Sequence, residues 1–207
     1  MNSKNLKVLH IISSLQQGGA ERQLIELVKK NNNHAICQLF SGNIFEEEIK
    51  NNKIFIFNLN IKKNIFAIFS LYKLYKVIKK YKPEIINTWM YHSSLMEVIL
   101  RKLMLSHKIP LIWGLRCSNM DTRYYSKLLK FFILGCKYFS NIPNLIINNS
   151  EEGKKFHKSI GFKNKNIVIH NGIDDRKFIF NQSQRIKFRK KYRISERAKV
   201  FLCVGRY

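Results

Sequence analysis

Two periods divide the chain. Short apolar runs rich in branched residues, such as Val8-Leu9-His10-Ile11-Ile12, fit strands buried on both faces. Between them apolar residues recur every three or four positions, as on amphipathic helices. A polar turn ending in Gly18 and Gly19 follows the first run, and then Leu24, Leu27 and Val28 come at helical spacing. Glu21 stands early in that helix, where the dipole favours an acid. The same reading predicts strands over 34–40, 54–59, 83–89, 111–113, 145–149, 166–169 and 199–204. It predicts helices over about 65–81, 93–105, 124–139, 151–160 and 182–192, with a short acidic helical turn over 45–50. Strands alternating with helices from start to finish indicate an α/β fold: a doubly wound, mostly parallel sheet with helices on both faces. Right-handed crossovers then bring the loops at the strands' C-terminal ends to one edge, where ligands bind. Gly18-Gly19, Trp89 to His92, Arg116 and Asn149-Ser150 all fall there.

Composition narrows the setting. The chain has 207 residues, with 38 Lys and Arg against 13 Asp and Glu, a formal charge of +25. Such a balance points to nucleic acid or to an anionic membrane surface. Lysine is also over-supplied by AT-rich coding sequences, and the basic residues are spread along the chain with no single dense arm. No zinc-finger spacing or isolated recognition module interrupts the strand–helix alternation, so a nucleic-acid partner is not expected. No apolar run reaches the roughly 18–20 residues needed to cross a bilayer. Cys37, Cys117, Cys136 and Cys203 are scattered without a CxxC pair, which suggests neither zinc nor a disulfide framework. With no secretory signal pattern at the N-terminus, the expected location is cytoplasmic, with peripheral contact to the inner face of a membrane.

Taken one at a time, the candidate residues are ambiguous. Paired glycines let backbone approach a ligand, and the helix behind them offers unpaired N–H groups to an anion; an ordinary tight turn uses the same residues. His92 could be structural, Trp89 could cap the sheet, and Arg116 could be a solvated cation. Their shared position on one predicted edge is what matters, because histidine and arginine there can serve a phosphate-bearing substrate.

Six segments occur in a recognisable order: GGAER after the first strand, TWMYHSSL after the fourth, WGLRCSN after the fifth, NSEEGKKFHKSIGF after the sixth, then VIHNGIDDRKF and a terminal VGRY. In this order they resemble the N-terminal half of a retaining, GT-B glycosyltransferase of family 4, over essentially all 207 residues. The resemblance implies a Rossmann-like acceptor-binding domain over residues 1–194 and, over 195–207, the first strand of a C-terminal nucleotide-sugar-binding domain whose remainder is missing. It implies hexosyl transfer from a nucleoside-diphosphate sugar to a glycan or lipid-linked acceptor, in cell-surface polysaccharide biosynthesis. No metal or other cofactor is implied. Gly18, Gly19 and Arg206 would meet the donor phosphates, while Arg116 and His92 would be catalytic. Glu21, Trp89, Tyr91, Asn149 and Ser150 would line the acceptor side of the cleft, and Asn171, Gly172 and Asp174 would mark the approach to the linker. The family's second sheet, a lysine beyond Arg206 and a distal glutamate pair have no counterpart in this sequence, so the chain alone is expected to be inactive. The alternative is a non-catalytic module that binds glycan or pairs with a separate polypeptide supplying the missing half; Val200, Phe201, Leu202 and Val204 would seek such a partner.

Overall fold

A computed structural model describes residues 6–16, 18–61, 68–104, 109–117, 126–175 and 178–203. Among them, seven strands alternate with helices in the order β1 (Val8–Ile12), α1 (Gly19–Val28), β2 (His34–Gln38), α2 (Glu46–Asn51), β3 (Phe55–Asn58), α3 (Ile68–Tyr81) and β4 (Ile85–Trp89). They continue with α4 (Met90–Met104), β5 (Leu111–Leu115), α5 (Lys127–Tyr138), β6 (Leu145–Asn148), α6 (Glu151–Ser159), β7 (Asn166–Val168) and α7 (Gln182–Lys191). The strands form one parallel sheet in the order β3-β2-β1-β4-β5-β6-β7. β1 lies inside the sheet, between β2 and β4, and all five of its residues are buried, as its largely apolar run requires. β3, at one edge, exposes both Phe55 and Asn58.

Two apolar clusters sandwich the sheet. Leu24, Ile25 and Val28 of α1 and Ile49 of α2 pack with Ile12, Ile36 and Trp89. Leu74, Val77 and Ile78 of α3, Leu95 and Val98 of α4, and Phe132, Ile133 and Cys136 of α5 pack with Leu9, Ile86, Leu111 and Trp113. Each fully buried aliphatic side chain contributes roughly 1.5–3 kcal/mol. α4 runs between α3 and α5 and buries Glu97 completely. Arg101, one turn on, pairs with that carboxylate at 2.8 Å and also donates to the Ile109 carbonyl.

The chain divides into two compact units, residues 1–171 and 172–207. In the second, Asn181 caps α7 by accepting the Gln184 N–H at 3.0 Å, and Arg189 donates to the carbonyl oxygens of Ser195 and Ala198. α7 buries none of its residues.

Several sequence-based bounds shift. α4 begins at Met90, three residues before the expected start, with Met90 itself at φ +67° joining strand to helix directly. The hydroxyls of Ser93 and Ser94 bond the Trp89 and Met90 carbonyl groups and so hold that turn. α5 is helical from Lys127, after its cap Ser126; the expected start at 124 lies outside the described residues, as does the 65–67 portion of the third helix. No strand forms over 199–203, because this apolar segment finds no neighbouring strand among the described residues; Val204 lies outside them.

Candidate functional site

Strand order reverses between β1 and β4, so the crevice outside their carboxyl ends is the natural ligand site of this sheet. Ile12 and Trp89, the last residues of the two strands, are register partners there, and Trp89 is paired in turn with Gly114 of β5.

On the β1 side, Gly18 is the N-cap residue of α1 in extended backbone, which any residue can adopt. The space beside it does not demand glycine either, because the nearest atoms belong to the movable end of a glutamate side chain. A Cβ on Gly18 would collide with the Glu21 carboxylate, which folds back over the first helical turn; at Gly19 a Cβ would meet nothing within 4 Å. The helix N-terminus thus carries a negative group of its own, placed as the dipole favours. A phosphate approaching these amides would displace Glu21, whose side chain is flexible.

On the β4 side, the Trp89 ring is buried and its indole N–H donates to His10 Nδ1 at 3.1 Å. Asn87 Nδ2 also reaches that nitrogen, at 3.3 Å. His10 Nδ1 is therefore the acceptor and its Nε2–H donates to His34 Nδ1 at 3.0 Å, a tautomer assigned from these partners. Burial pushes the His10 pKa down to about 3, reinforced by the charges of His34 and Arg116. A neutral imidazole is what this position demands, because the Arg116 guanidinium lies over the opposite ring of the pair: its Cζ is 4.3 Å from the Trp89 ring centroid.

Arg116 follows β5. Its Nη1 donates to Asn171 Oδ1 at 2.5 Å, while its Nε is buried without a partner among the described residues. Burial lowers its pKa, but a guanidinium remains charged at neutral pH. Ser13 Oγ, just after β1, and Asn149 Oδ1, just after β6, are likewise buried and unpartnered among the described residues. Three loops on the carboxyl edge thus hold hydrogen-bonding capacity that the fold leaves unused, which is uncommon for buried polar atoms. A guanidinium fixed by stacking and by Asn171, with a donor to spare, is suited to a phosphate or carboxylate oxygen.

The other candidate residues are placed as follows. Trp89 and Tyr91 are both 1% exposed, so they support the edge from beneath. Tyr91 Oη donates to His157 Nε2 at 2.7 Å and lies 3.1 Å from Cys117 Sγ, tying α4 to α6 and to the loop after β5. His92 packs its ring against Phe132 of α5, centroids 4.1 Å apart, and burial lowers its pKa. Ser150 is the N-cap of α6, accepting the Gly153 N–H at 3.0 Å, and the Asn149 carbonyl accepts from His170 Nδ1 at 3.2 Å. Asn171 meets Arg116, whereas Gly172 and Asp174 begin the second compact unit. Arg206 lies outside the described residues.

His10, Asn87, Ser13 and His157 escape sequence reasoning as site residues. His10 does leave a trace, since it is the one polar residue in a run that reads as buried on both faces. His157 leaves none: it is an ordinary helical position made important by Tyr91, far away in sequence. Among the described residues no group of three His, Cys, Asp or Glu side chains could hold a metal ion.

Residues 17–177 match the family model Glycosyltransferase Family 4. Sequence comparison with curated proteins found no match. Among solved structures, the chain is similar to HepE from Anabaena in complex with UDP, at 18% identity and a TM-score of 0.74, covering 90% of this chain and 50% of that one. It is similar to a glycosyltransferase from Rickettsia africae at 17% identity and a TM-score of 0.63, covering 94% and 51%. It also resembles the UDP-GlcNAc 2-epimerase of Neisseria meningitidis bound to UDP-GlcNAc, at 14% identity and 0.55, covering 92% and 55%. The chain spans about half the length of each. Its match across most of its length places it in Glycosyltransferase Family 4, and its sheet is that of one half of a GT-B fold.

Proposed function

We propose that this chain forms one wall of a glycosyltransferase cleft. The reaction is hexosyl transfer from a nucleoside-diphosphate sugar to a glycan or lipid-linked acceptor, with retention of anomeric configuration, in the building of a cell-surface polysaccharide. The observation that carries the reading is Arg116: a stacked, half-buried guanidinium whose Nε–H is buried and unused, at the carboxyl edge of the sheet. Such a group stabilises the charge that grows on a departing diphosphate, and the amides at the start of α1 can add to it once Glu21 moves aside. In the proposed step the glycosidic C1–O bond to the diphosphate breaks and the acceptor oxygen bonds C1 on the same face. The acceptor proton passes to the leaving phosphate oxygen. Asn149 and Ser150 stand on the acceptor side, and the ring nitrogens of His92, without hydrogen-bond partners among the described residues, are available to a sugar hydroxyl. No metal is needed on this scheme. UDP and UDP-glucose, present in the HepE structures, are the first donors to try.

A polypeptide of these 207 residues, with its single parallel sheet, is expected to transfer no sugar alone. Assembled with a donor-binding half, on the same or on a separate polypeptide, it is expected to be active. There, Arg116→Ala should lower kcat about 10²–10³-fold, the usual loss for one electrostatic stabiliser of a transition state. Unchanged kcat in that variant would refute the assignment. The excess of positive charge favours work at the cytoplasmic face of an anionic membrane, close to lipid-linked acceptors.

A second reading, a non-catalytic module that binds glycan or pairs with another polypeptide, is favoured by one observation: Phe201 and Leu202 are 93% and 81% exposed. Co-purification of a donor-binding half with an inactive pair would support it; transfer by the pair would exclude it.

A further inference from the structure

The outer face of α5 breaks the rule for a surface helix. Leu129, Phe132, Ile133 and Cys136 turn inward to the apolar core. The opposite pole of such a helix is normally polar. Here it carries Leu128, Phe131, Leu134 and Tyr138, which are 60%, 62%, 62% and 78% exposed. Their spacing of three, three and four residues puts them on one stripe. Together they expose on the order of 500 Å² of largely apolar surface, the size at which such patches mark interaction sites.

The charge beside the stripe identifies what covers it. Lys127, Lys130 and Lys137 are the only ionisable side chains on α5 besides Cys136 and Tyr138, and no acid stands among its twelve residues. From Val98 to Ser150 the sequence holds eight Lys and Arg and a single acid, Asp121. Lys102 and the 68% exposed Leu103 on neighbouring α4 repeat the same pairing of cation and apolar group. The aromatics on α3 are also exposed but differ in their partners: Lys73 lies over Phe69 and Lys76 over Tyr72. On α5 the rings and aliphatic groups stand open with lysines alongside.

We infer that α5 is a membrane-docking helix, whose Leu128–Phe131–Leu134–Tyr138 stripe enters the headgroup region of an anionic bilayer while its lysines meet lipid phosphates. An interfacial helix requires this combination: an apolar face to bury, basic residues beside it, and no acid to repel the surface. This inference deepens the membrane reading above and rests on it; sugar transfer does not enter.

The test uses the full chain with vesicles of phosphatidylcholine alone or with about one third phosphatidylglycerol. Binding to the anionic vesicles is expected, falling as salt rises, with much weaker binding to the neutral ones. Phe131→Ser/Leu134→Ser should weaken anionic-vesicle binding at least ~10-fold with no change in net charge. Lys130→Gln/Lys137→Gln should weaken it more than the charge-matched pair Lys76→Gln/Lys79→Gln on α3. Because Trp89 and Trp113 are buried, Tyr138→Trp supplies a clean reporter, whose emission should shift to the blue on anionic vesicles. No binding by the unaltered chain would overturn the membrane reading and this inference with it. Binding that both α5 variants retain in full, or an unshifted emission from the Tyr138→Trp reporter, would overturn the α5 assignment alone. Self-association abolished by the Phe131→Ser/Leu134→Ser variant would instead assign the stripe to contact between copies.

Discussion

Two buried imidazoles make the stability of this chain sensitive to mild acid. His157 is fully buried; its Nδ1–H donates to the Gly153 carbonyl and its Nε2 accepts from Tyr91, both at 2.7 Å. A second proton would require the Tyr91 hydroxyl to turn from donor to acceptor. Burial lowers the His157 pKa to about 4, opposed by the bond to the Gly153 carbonyl, and His10 is lowered to about 3. Both folded values lie below the roughly 6.5 expected of unfolded chain. The unfolded state therefore binds more protons between roughly pH 6.5 and the folded pKa values, and stability falls as pH drops through that window. At about pH 5 each imidazole should have removed about 2 kcal/mol relative to pH 8. About 4 kcal/mol together is a large share of a typical 5–15 kcal/mol. His34, which accepts the His10 N–H and is itself lowered by burial, acts in the same direction. Urea unfolding followed by the fluorescence of buried Trp89 and Trp113 measures this directly. His157→Gln, which keeps a donor and an acceptor, should lower stability at pH 8 yet lose about 2 kcal/mol less between pH 8 and 5. A wild-type midpoint that stays constant over that range, or a pH slope unaltered by His157→Gln, would refute the reasoning.

Three further outcomes follow from the packing. Arg101→Met leaves the fully buried Glu97 carboxylate unpaired and should cost about 3–5 kcal/mol in urea unfolding, most of it recovered by adding Glu97→Leu. Gly153→Ala would place a methyl 2.8 Å from the backbone carbonyl oxygen of Cys117, so α6 must shift; a loss of about 1–3 kcal/mol is expected by the same measurement. Met90, at φ +67°, tolerates asparagine but not a branched side chain, so Met90→Val should be less stable than Met90→Asn by about 1–2 kcal/mol.

The architecture is legible in the sequence because each strand announces itself locally: the apolar run at Val8–Ile12 needs cover on both faces, and the period changes cleanly at Leu24. Met90 is not. A residue in the left-handed region lets α4 start immediately after β4, and nothing about methionine signals that conformation. The edge loops are legible as a set, since topology alone brings the ends of β1, β4, β5 and β6 to one side. What those side chains do there depends on partners distant in sequence. Trp89 reads as a cleft-lining ring; in the fold its face carries Arg116 and its indole N–H, at the ring edge, is committed to His10. Tyr91 is likewise committed to His157, a pairing across 66 positions that no local pattern encodes. His92 reads as a site histidine in sequence and lies against Phe132 in the fold, because the early start of α4 places it within the helix. The apolar pole of α5 is visible only in part: Phe131, Phe132, Ile133 and Leu134 form a continuous apolar run, and only packing shows which of them the core leaves outside.

The central claim is that the carboxyl edge around Arg116 faces a nucleotide sugar, and amide NMR of the isotope-labelled chain tests it most directly. Titration with a nucleoside-diphosphate sugar, to millimolar concentrations, should shift the amides of Gly18, Gly19 and Ala20 together with the Arg116 Nε–H, and Arg116→Ala should abolish the response. Shifts confined instead to the groove of about 570 Å³ between α2 and β3, at Asn43, Lys50 and Lys53, or no shift at Arg116, would contradict the account.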